Sequence, residues 1–289
     1  MISVFTPTYN RGYIIDKLYN SLLEQTDKDF EWIVIDDGSS DGTEEYFEKI
    51  IKNDNPFPIY YQKVQNGGKH RAINKGVSLA KGEMFFIVDS DDCLLPFAIE
   101  NIKKWFSTLD DSKKWAGVSG LRGHSETQVL GGANKSEYVD AKNTEREKYH
   151  LLGDKAEIYF TSVLRQYPFP EIEGENFLTE EVVWNRIAVD GYYIRWFNEI
   201  IYICNYLEDG LTKNSTKAES NPKGMLMWAK GQLVAFPNDF KMRLTVIYIY
   251  YAAVKGTKKI KQIAKDLDQS SFKVYLSIIV RNIKHLLVR

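Results

Sequence analysis

Residues 84–93 read Met-Phe-Phe-Ile-Val-Asp-Ser-Asp-Asp-Cys, an apolar run that stops on Asp89, Asp91 and Asp92. Three carboxylates at the end of one strand repel one another, and a cation at that edge offsets the repulsion. A divalent metal and a phosphate are therefore the chemistry to expect there. Two other apolar runs also end on polar loops, Thr6-Pro-Thr-Tyr-Asn10 and Asp36-Asp-Gly-Ser-Ser-Asp-Gly42.

Those loops need a frame. Over the first 120 residues short apolar runs alternate with longer amphipathic ones, the pattern of βα units on a mostly parallel sheet. Strands are expected at residues 2–5, 32–36, 59–63, 84–88 and 117–121, with helices near 13–25, 44–52, 70–80 and 97–109. Ligands bind such sheets beyond the carboxyl ends of the strands, so the three loops should converge on one crevice. Residues 122–178 are less regular, and Gly131-Gly132 with the polar stretch 134–148 suggests a loop or a mobile lid. A helix follows over about 179–189, since Val183, Ile187 and Ala188 share a face and Gly191 can end it. Strand patterns come next at 193–197 and 200–206, and the polar stretch 214–224, with Pro222, reads as a linker.

Each constellation has a competing interpretation. Asp36-Asp37-Gly38 is also ordinary turn chemistry, with Asp41 or Thr43 capping the next helix. Asp37, Ser39, Asp41, Gly42 and Glu48 match positions 1, 3, 5, 6 and 12 of an EF-hand calcium loop, but such a loop needs a preceding helix and residues 30–35 form a strand pattern. Asp89-Ser-Asp91 after an apolar strand is similar to the first motif of haloacid-dehalogenase-type phosphatases, whose first Asp is a nucleophile. That family expects Thr or Val where Cys93 stands, and usually places the motif at the first strand of its core, whereas nearly four βα units come first here.

The ordered set is more specific than any member of it. Thr6-Pro-Thr-Tyr-Asn-Arg11, Val34-Ile-Asp-Asp-Gly-Ser-Ser-Asp-Gly-Thr43, Asn66-Gly-Gly-Lys-His-Arg-Ala-Ile-Asn-Lys-Gly76 and Val88-Asp-Ser-Asp-Asp92 together resemble the family 2 glycosyltransferases. The resemblance is strong over about residues 1–121 and weaker over 170–210. It implies an α/β fold, a single type A glycosyltransferase domain with a Rossmann-like, mostly parallel sheet flanked by helices. It also implies a nucleotide-sugar donor, usually a UDP-sugar, and Mn2+ or Mg2+ as cofactor.

Carried over by position, the resemblance puts Pro7, Thr8 and Tyr9 against the base and Asp37 at the uracil N3–H, a hydrogen that cytosine lacks. Lys69 and Arg71 approach the base or the pyrophosphate, Lys69 as a point charge, although a solvated helix start also accounts for both. Asn74 fixes the local backbone. Asp89 falls near the ribose, with Ser90 in the same nucleotide-sugar site, and Asp91 holds the metal with Asp92 as support or second ligand.

The reaction also needs a base for the acceptor hydroxyl. Many members of the family carry Glu-Asp before a helix with Trp and Arg, the Asp being the base, whereas this chain reads Thr179-Glu180-Glu181-Val-Val-Trp184-Asn-Arg186. Counting back from Trp184 selects Glu180, while reading the acid pair directly selects Glu181. Both stand at a helix N-terminus, where the dipole stabilises a carboxylate whatever its role. Glu180 is favoured. A single base acting opposite the leaving group implies one displacement and inversion at the anomeric carbon.

Composition places the rest. Cys93 and Cys204 are too few for a disulfide framework, which suits a reducing compartment, and the four histidines lack zinc-ligand spacing. The N-terminus opens on a strand pattern with no signal core, and the longest clearly apolar run, 244–254, is far below the roughly 20 residues that span a bilayer. A cytoplasmic protein is the expectation. Charge is uneven: residues 240–289 hold eleven Lys and Arg against two acids, a net +9, and the overall −1 leaves −10 for residues 1–239. Phe272, Tyr275, Leu276, Ile279, Val280, Ile283 and Leu287 recur there at helical spacing, as in basic amphipathic helices on an anionic cytoplasmic leaflet. Packing on the catalytic body, or on another subunit of a homo-oligomer, is the alternative. No aromatic-and-glycine motif accompanies the charge, so nucleic acid is not an expected partner.

The expected whole is a catalytic domain at 1–213, with a nucleotide-sugar half at 1–121 and an acceptor half at 122–213, and a helical basic region at 214–289. Its expected activity is metal-dependent, inverting transfer from a UDP-sugar to a lipid-linked glycan acceptor in surface polysaccharide synthesis, on the inner face of the cell membrane. A haloacid-dehalogenase-like phosphohydrolase and a nucleotide-sugar-binding module without catalysis are the alternatives.

Overall fold

Period-two alternation along the first strands sends side chains to two faces of one sheet, and each face finds its own helices. The computed structural model describes residues 1–204 and 220–287, with side chains to residue 283. Strand β1 (Ile2–Thr8) is followed by helix α1 (Ile15–Leu23), β2 (Phe30–Asp36), α2 (Thr43–Ile50), β3 (Ile59–Lys63), α3 (Lys69–Leu79) and β4 (Met84–Ile87). Ile2 and Val4 of β1, Trp32 and Val34 of β2 and Phe86 of β4 pack with Leu18, Leu22, Phe47 and Ile50 of the helices on one face. Phe5, Ile33, Ile35 and Phe85 meet Ala72, Ile73 and Val77 of α3 on the other.

The chain then adds β5 (Cys93–Leu94), α4 (Ala98–Phe106), β6 (Trp115–Gly123), β7 (Tyr138–Ala141), a 3-10 segment (Asn143–Tyr149), β8 (Lys155–Phe160), α5 (Thr161–Gln166), α6 (Glu181–Val189) and β9 (Tyr193–Ile203). The nine-stranded sheet has the order β3-β2-β1-β4-β8-β6-β9-β5, with β7 paired to β9. β1, β2, β3 and β4 are parallel neighbours, and β8 lies antiparallel between β4 and β6.

Two expectations are corrected here. Residues 122–178 are not a loop or a mobile lid, because they supply β7, β8 and α5, and β8 sits inside the sheet. Charged Lys155 and Glu157 disguise β8, yet Lys155 is buried with its ammonium donating to the Leu152 carbonyl at 2.9 Å. The two strand patterns after α6 are one strand, β9, whose pairing with β6 shifts register between Ser119 and Leu121. The linker at 214–224 and the domain boundary at 213 lie largely outside the described residues, although 222–224 already belong to a helix.

Among the described residues four helices follow, α7 (Pro222–Ala235), α8 (Phe240–Val254), α9 (Ile260–Asp266) and α10 (Ser271–Leu287), around a separate core of Leu233, Ile247, Tyr250, Ile263 and Val274. This is the expected helical, basic C-terminal extension. Glu175 fastens it to the body by accepting the Lys223 and Gly224 N–H groups at 2.9 and 2.8 Å, the free donors of the α7 N-terminus.

Candidate active site

β1 and β2 run in register as far as Thr8 opposite Asp36, so their loops leave the sheet side by side. Asn10, with a φ of 53°, joins them: its N–H donates to Ser39 Oγ at 2.8 Å and its Oδ1 accepts the Ser40 N–H at 2.8 Å. Asp36 accepts the Ser39 N–H at 2.8 Å and the Tyr61 hydroxyl at 2.6 Å, which braces the turn. Asp41 takes the Gly12 N–H at 3.0 Å and the Thr43 N–H at 3.2 Å, so it serves as turn and cap.

Asp37 turns the other way and builds the third loop. Its two carboxylate oxygens accept the Gly67 and Gly68 N–H groups at 2.7 and 2.8 Å. Burial pushes its pKa up, and these two hydrogen bonds oppose that shift. Gly68 has a φ of 95°, and a Cβ there would lie 1.8 Å from the Asn176 carbonyl oxygen, so only glycine lets the chain pass. Arg71 donates to the carbonyls of Gly67, Ile172 and Glu175 at 2.6, 2.7 and 2.9 Å, tying this loop to the approach to α6. Asn74 exchanges hydrogen bonds with the Phe169 backbone, both at 2.8 Å.

Lys69, the first residue of α3, reaches across the crevice. Its Nζ lies 2.6 Å from Asp89 Oδ1 and 2.8 Å from Glu180 Oε1, and Arg122 Nη1 approaches Asp89 Oδ2 at 3.6 Å. Burial alone would raise the Asp89 pKa, but the ammonium and the guanidinium hold it below the usual carboxylate range. Burial likewise opposes charge on Lys69, and Asp89 and Glu180 outweigh it, so Lys69 stays protonated far above neutrality. Asp91 makes no ion pair among the described residues, and burial, then the charge of Asp89, raises its pKa. Tyr202 locks the cluster from below: its hydroxyl accepts the Asp89 N–H at 3.0 Å and donates to Asp92 Oδ2 at 2.7 Å. The Arg122 guanidinium stacks 4.2 Å from the Tyr202 ring centre.

The residues singled out by sequence thus separate. Pro7 and Thr8 end β1, Tyr9 stands half exposed beyond them, and the Thr8 hydroxyl is buried without a hydrogen-bond partner. Ser90 is buried between Asp89 and Asp91. Asp37, Lys69, Asp89 and Glu180 are linked through the Gly67–Lys69 loop and the Lys69 ammonium. Glu181 points away: its Oε2 accepts Trp228 Nε1 and Gln232 Nε2 of α7, both at 2.7 Å. Sequence reasoning missed Arg122 and Tyr202. Arg122 follows the expected strand 117–121 at its carboxyl end, which was a usable signal, whereas Tyr202 lies 113 residues from Asp89 and carries none.

Among the described residues no group of three or more His, Cys, Asp or Glu has metal-holding geometry. The residues nevertheless fit a divalent cation shared with a ligand's phosphates, because burial and the charge of Asp89 outweigh the nearby Arg11 and Lys69 cations and leave the Asp91 carboxylate short of positive charge. Asp92, held by Tyr202, fits as its support.

The family model for glycosyl transferase family 2 matches residues 3–169. Glycosyltransferase GlyG of Streptococcus pneumoniae is 38% identical over 102 residues, 35% of this chain and 34% of that protein, so the chain spans about a third of its length. The GalNAc(5)-diNAcBac-PP-undecaprenol β-1,3-glucosyltransferase of Campylobacter jejuni is 26% identical over 75% of this chain and 68% of its own. The crystal structure of S. aureus TarS 1-349 in complex with UDP-GlcNAc superposes with a TM-score of 0.66 at 19% identity, covering 90% of this chain and 77% of that one, which shows a common fold.

Proposed function

The chain belongs to glycosyl transferase family 2, and from that premise we propose that it is an inverting enzyme that moves a sugar from a UDP-sugar to a hydroxyl of a lipid-linked glycan in surface polysaccharide synthesis. The Lys69 bridge supports this reading most, because one ammonium joins the donor-side carboxylate Asp89 to Glu180 across the crevice. The UDP-GlcNAc complex of TarS supports the choice of uridine donor, and the undecaprenol diphosphate in the Campylobacter enzyme's name supports the acceptor class. The phosphohydrolase alternative ends with the family match.

In this reading Asp37 receives the uracil imide hydrogen on a lone pair left over from its bonds to Gly67 and Gly68. The Thr8 hydroxyl finds its partner on the nucleoside. Arg71, spent on three carbonyls, positions the loop and does not touch the nucleotide. The donor diphosphate competes with Glu180 for the Lys69 ammonium, and the released carboxylate turns to the acceptor. Glu180 then takes the hydroxyl proton as the oxygen bonds to the anomeric carbon and the bond from that carbon to the β-phosphate oxygen breaks. Attack opposite the departing nucleoside diphosphate inverts the configuration. Asp91, with Asp92 in support, would hold Mn2+ or Mg2+, which when bound would supply positive charge to the leaving diphosphate.

Thermal shift with UDP tests the reading. At about 100 times its Kd, UDP with Mn2+ should add roughly 2.7 kcal/mol of stability, and UDP without the cation much less. Equal protection by UDP and GDP, or protection indifferent to Mn2+, contradicts it. Donor turnover separates an active enzyme from a binding module.

A further inference from the structure

The last helix is inside out. On α10 the residues turned inward are Val274 and Ser277, buried, and partly buried Ile278, while exposed Arg281 lies 5.7 Å from the Tyr248 ring. Four large apolar residues face solvent instead: Phe272 is 72% exposed, Tyr275 54%, Ile279 52% and Ile283 50%. Their spacing of three, four and four residues puts them on one stripe roughly 16 Å long. Isolated exposed apolar residues are ordinary, but a continuous stripe on one helix face implies a cover.

We propose that this face of α10 docks on an anionic lipid surface. Charge decides the occupant. The stripe lies in a segment of net +9, with Lys273 and Arg281 on the same helix, while the remainder of the chain carries −10. A second copy, face to face, would bring two +9 segments together, whereas anionic headgroups neutralise them. The −10 body is repelled by the same surface, so the charge asymmetry also sets the orientation. Among the described residues no helix is long and apolar enough to cross a membrane, so α10 lies along the interface. This inference does not depend on the assignment of Glu180 or of the donor.

Flotation of the full chain with vesicles provides the test. Wild-type protein should float with equimolar phosphatidylglycerol–phosphatidylcholine vesicles, much less with phosphatidylcholine alone, and lose binding in high salt. The double variant Phe272→Glu/Ile279→Glu, whose sites are exposed, should keep its melting temperature and its turnover on soluble acceptor and bind about tenfold more weakly or worse. The proposal is overturned if the variant floats as well as wild type, or if neither floats. It is also overturned if sedimentation shows a lipid-free wild-type dimer that the variant converts to monomer, since a second copy then covers the stripe.

Discussion

Two regions meet at the first turn of α6, and neighbouring glutamates serve them. On the crevice side Glu180 faces an ammonium that also holds Asp89, within a cluster of groups with shifted pKa values. On the other side Glu181 takes two neutral N–H donors from α7 and joins the body to the C-terminal helices. Crevice contacts are charged and exchangeable, so a phosphate can compete for Lys69. Joint contacts pair a carboxylate with neutral N–H donors, and nothing in catalysis needs to replace them. The same residue type one position apart therefore does different work, because the helix turns successive side chains by about 100°.

Substitutions can break that contrast. The largest effect is expected from Asp91→Asn, which should cut turnover by about 10^3-fold and abolish the Mn2+ dependence of UDP protection. Unchanged metal dependence would move the cation elsewhere. Lys69→Met leaves Asp89 and Glu180 without their shared cation, and kcat/KM should fall by about 10^2-fold. At the joint the readout changes from rate to stability. Glu175→Ala removes the side-chain oxygens that accept two backbone N–H groups of the α7 N-terminus and should cost about 2 kcal/mol in denaturant unfolding, with turnover within about threefold. Trp228→Phe removes one hydrogen bond to Glu181 and should cost about 1 kcal/mol, again with turnover nearly intact. A large rate loss from either joint variant would show that the two regions are coupled.

The same contrast explains what the sequence disclosed. β1 to β4 and their helices were legible because each apolar run ends on a polar loop, and loops that leave parallel strands must meet. β8 was hidden because its charges are met inside the fold, which no strand pattern announces: the Lys155 ammonium donates to the Leu152 carbonyl, and Arg146 approaches Glu157 at 3.8 Å. Tyr202 joined the site for a topological reason, since β9 passes beside β6 and β5. Counting back from Trp184 favoured Glu180 but left Glu181 open, because both suit a helix start; their surroundings differ, Glu180 meeting Lys69 and Glu181 meeting Trp228. In the C-terminal region the α10 stripe was legible, but not that Val274, Ser277 and Ile278 are the residues that turn inward beside it.

The central claim is that Glu180, not Glu181, takes the acceptor proton. The most direct test measures kcat for Glu180→Gln and Glu181→Gln side by side, with UDP affinity as the control for folding. The account predicts a loss of about 10^2–10^4-fold for Glu180→Gln with UDP binding retained, and a change within about threefold for Glu181→Gln. Equal losses, or a larger loss at Glu181, would contradict it.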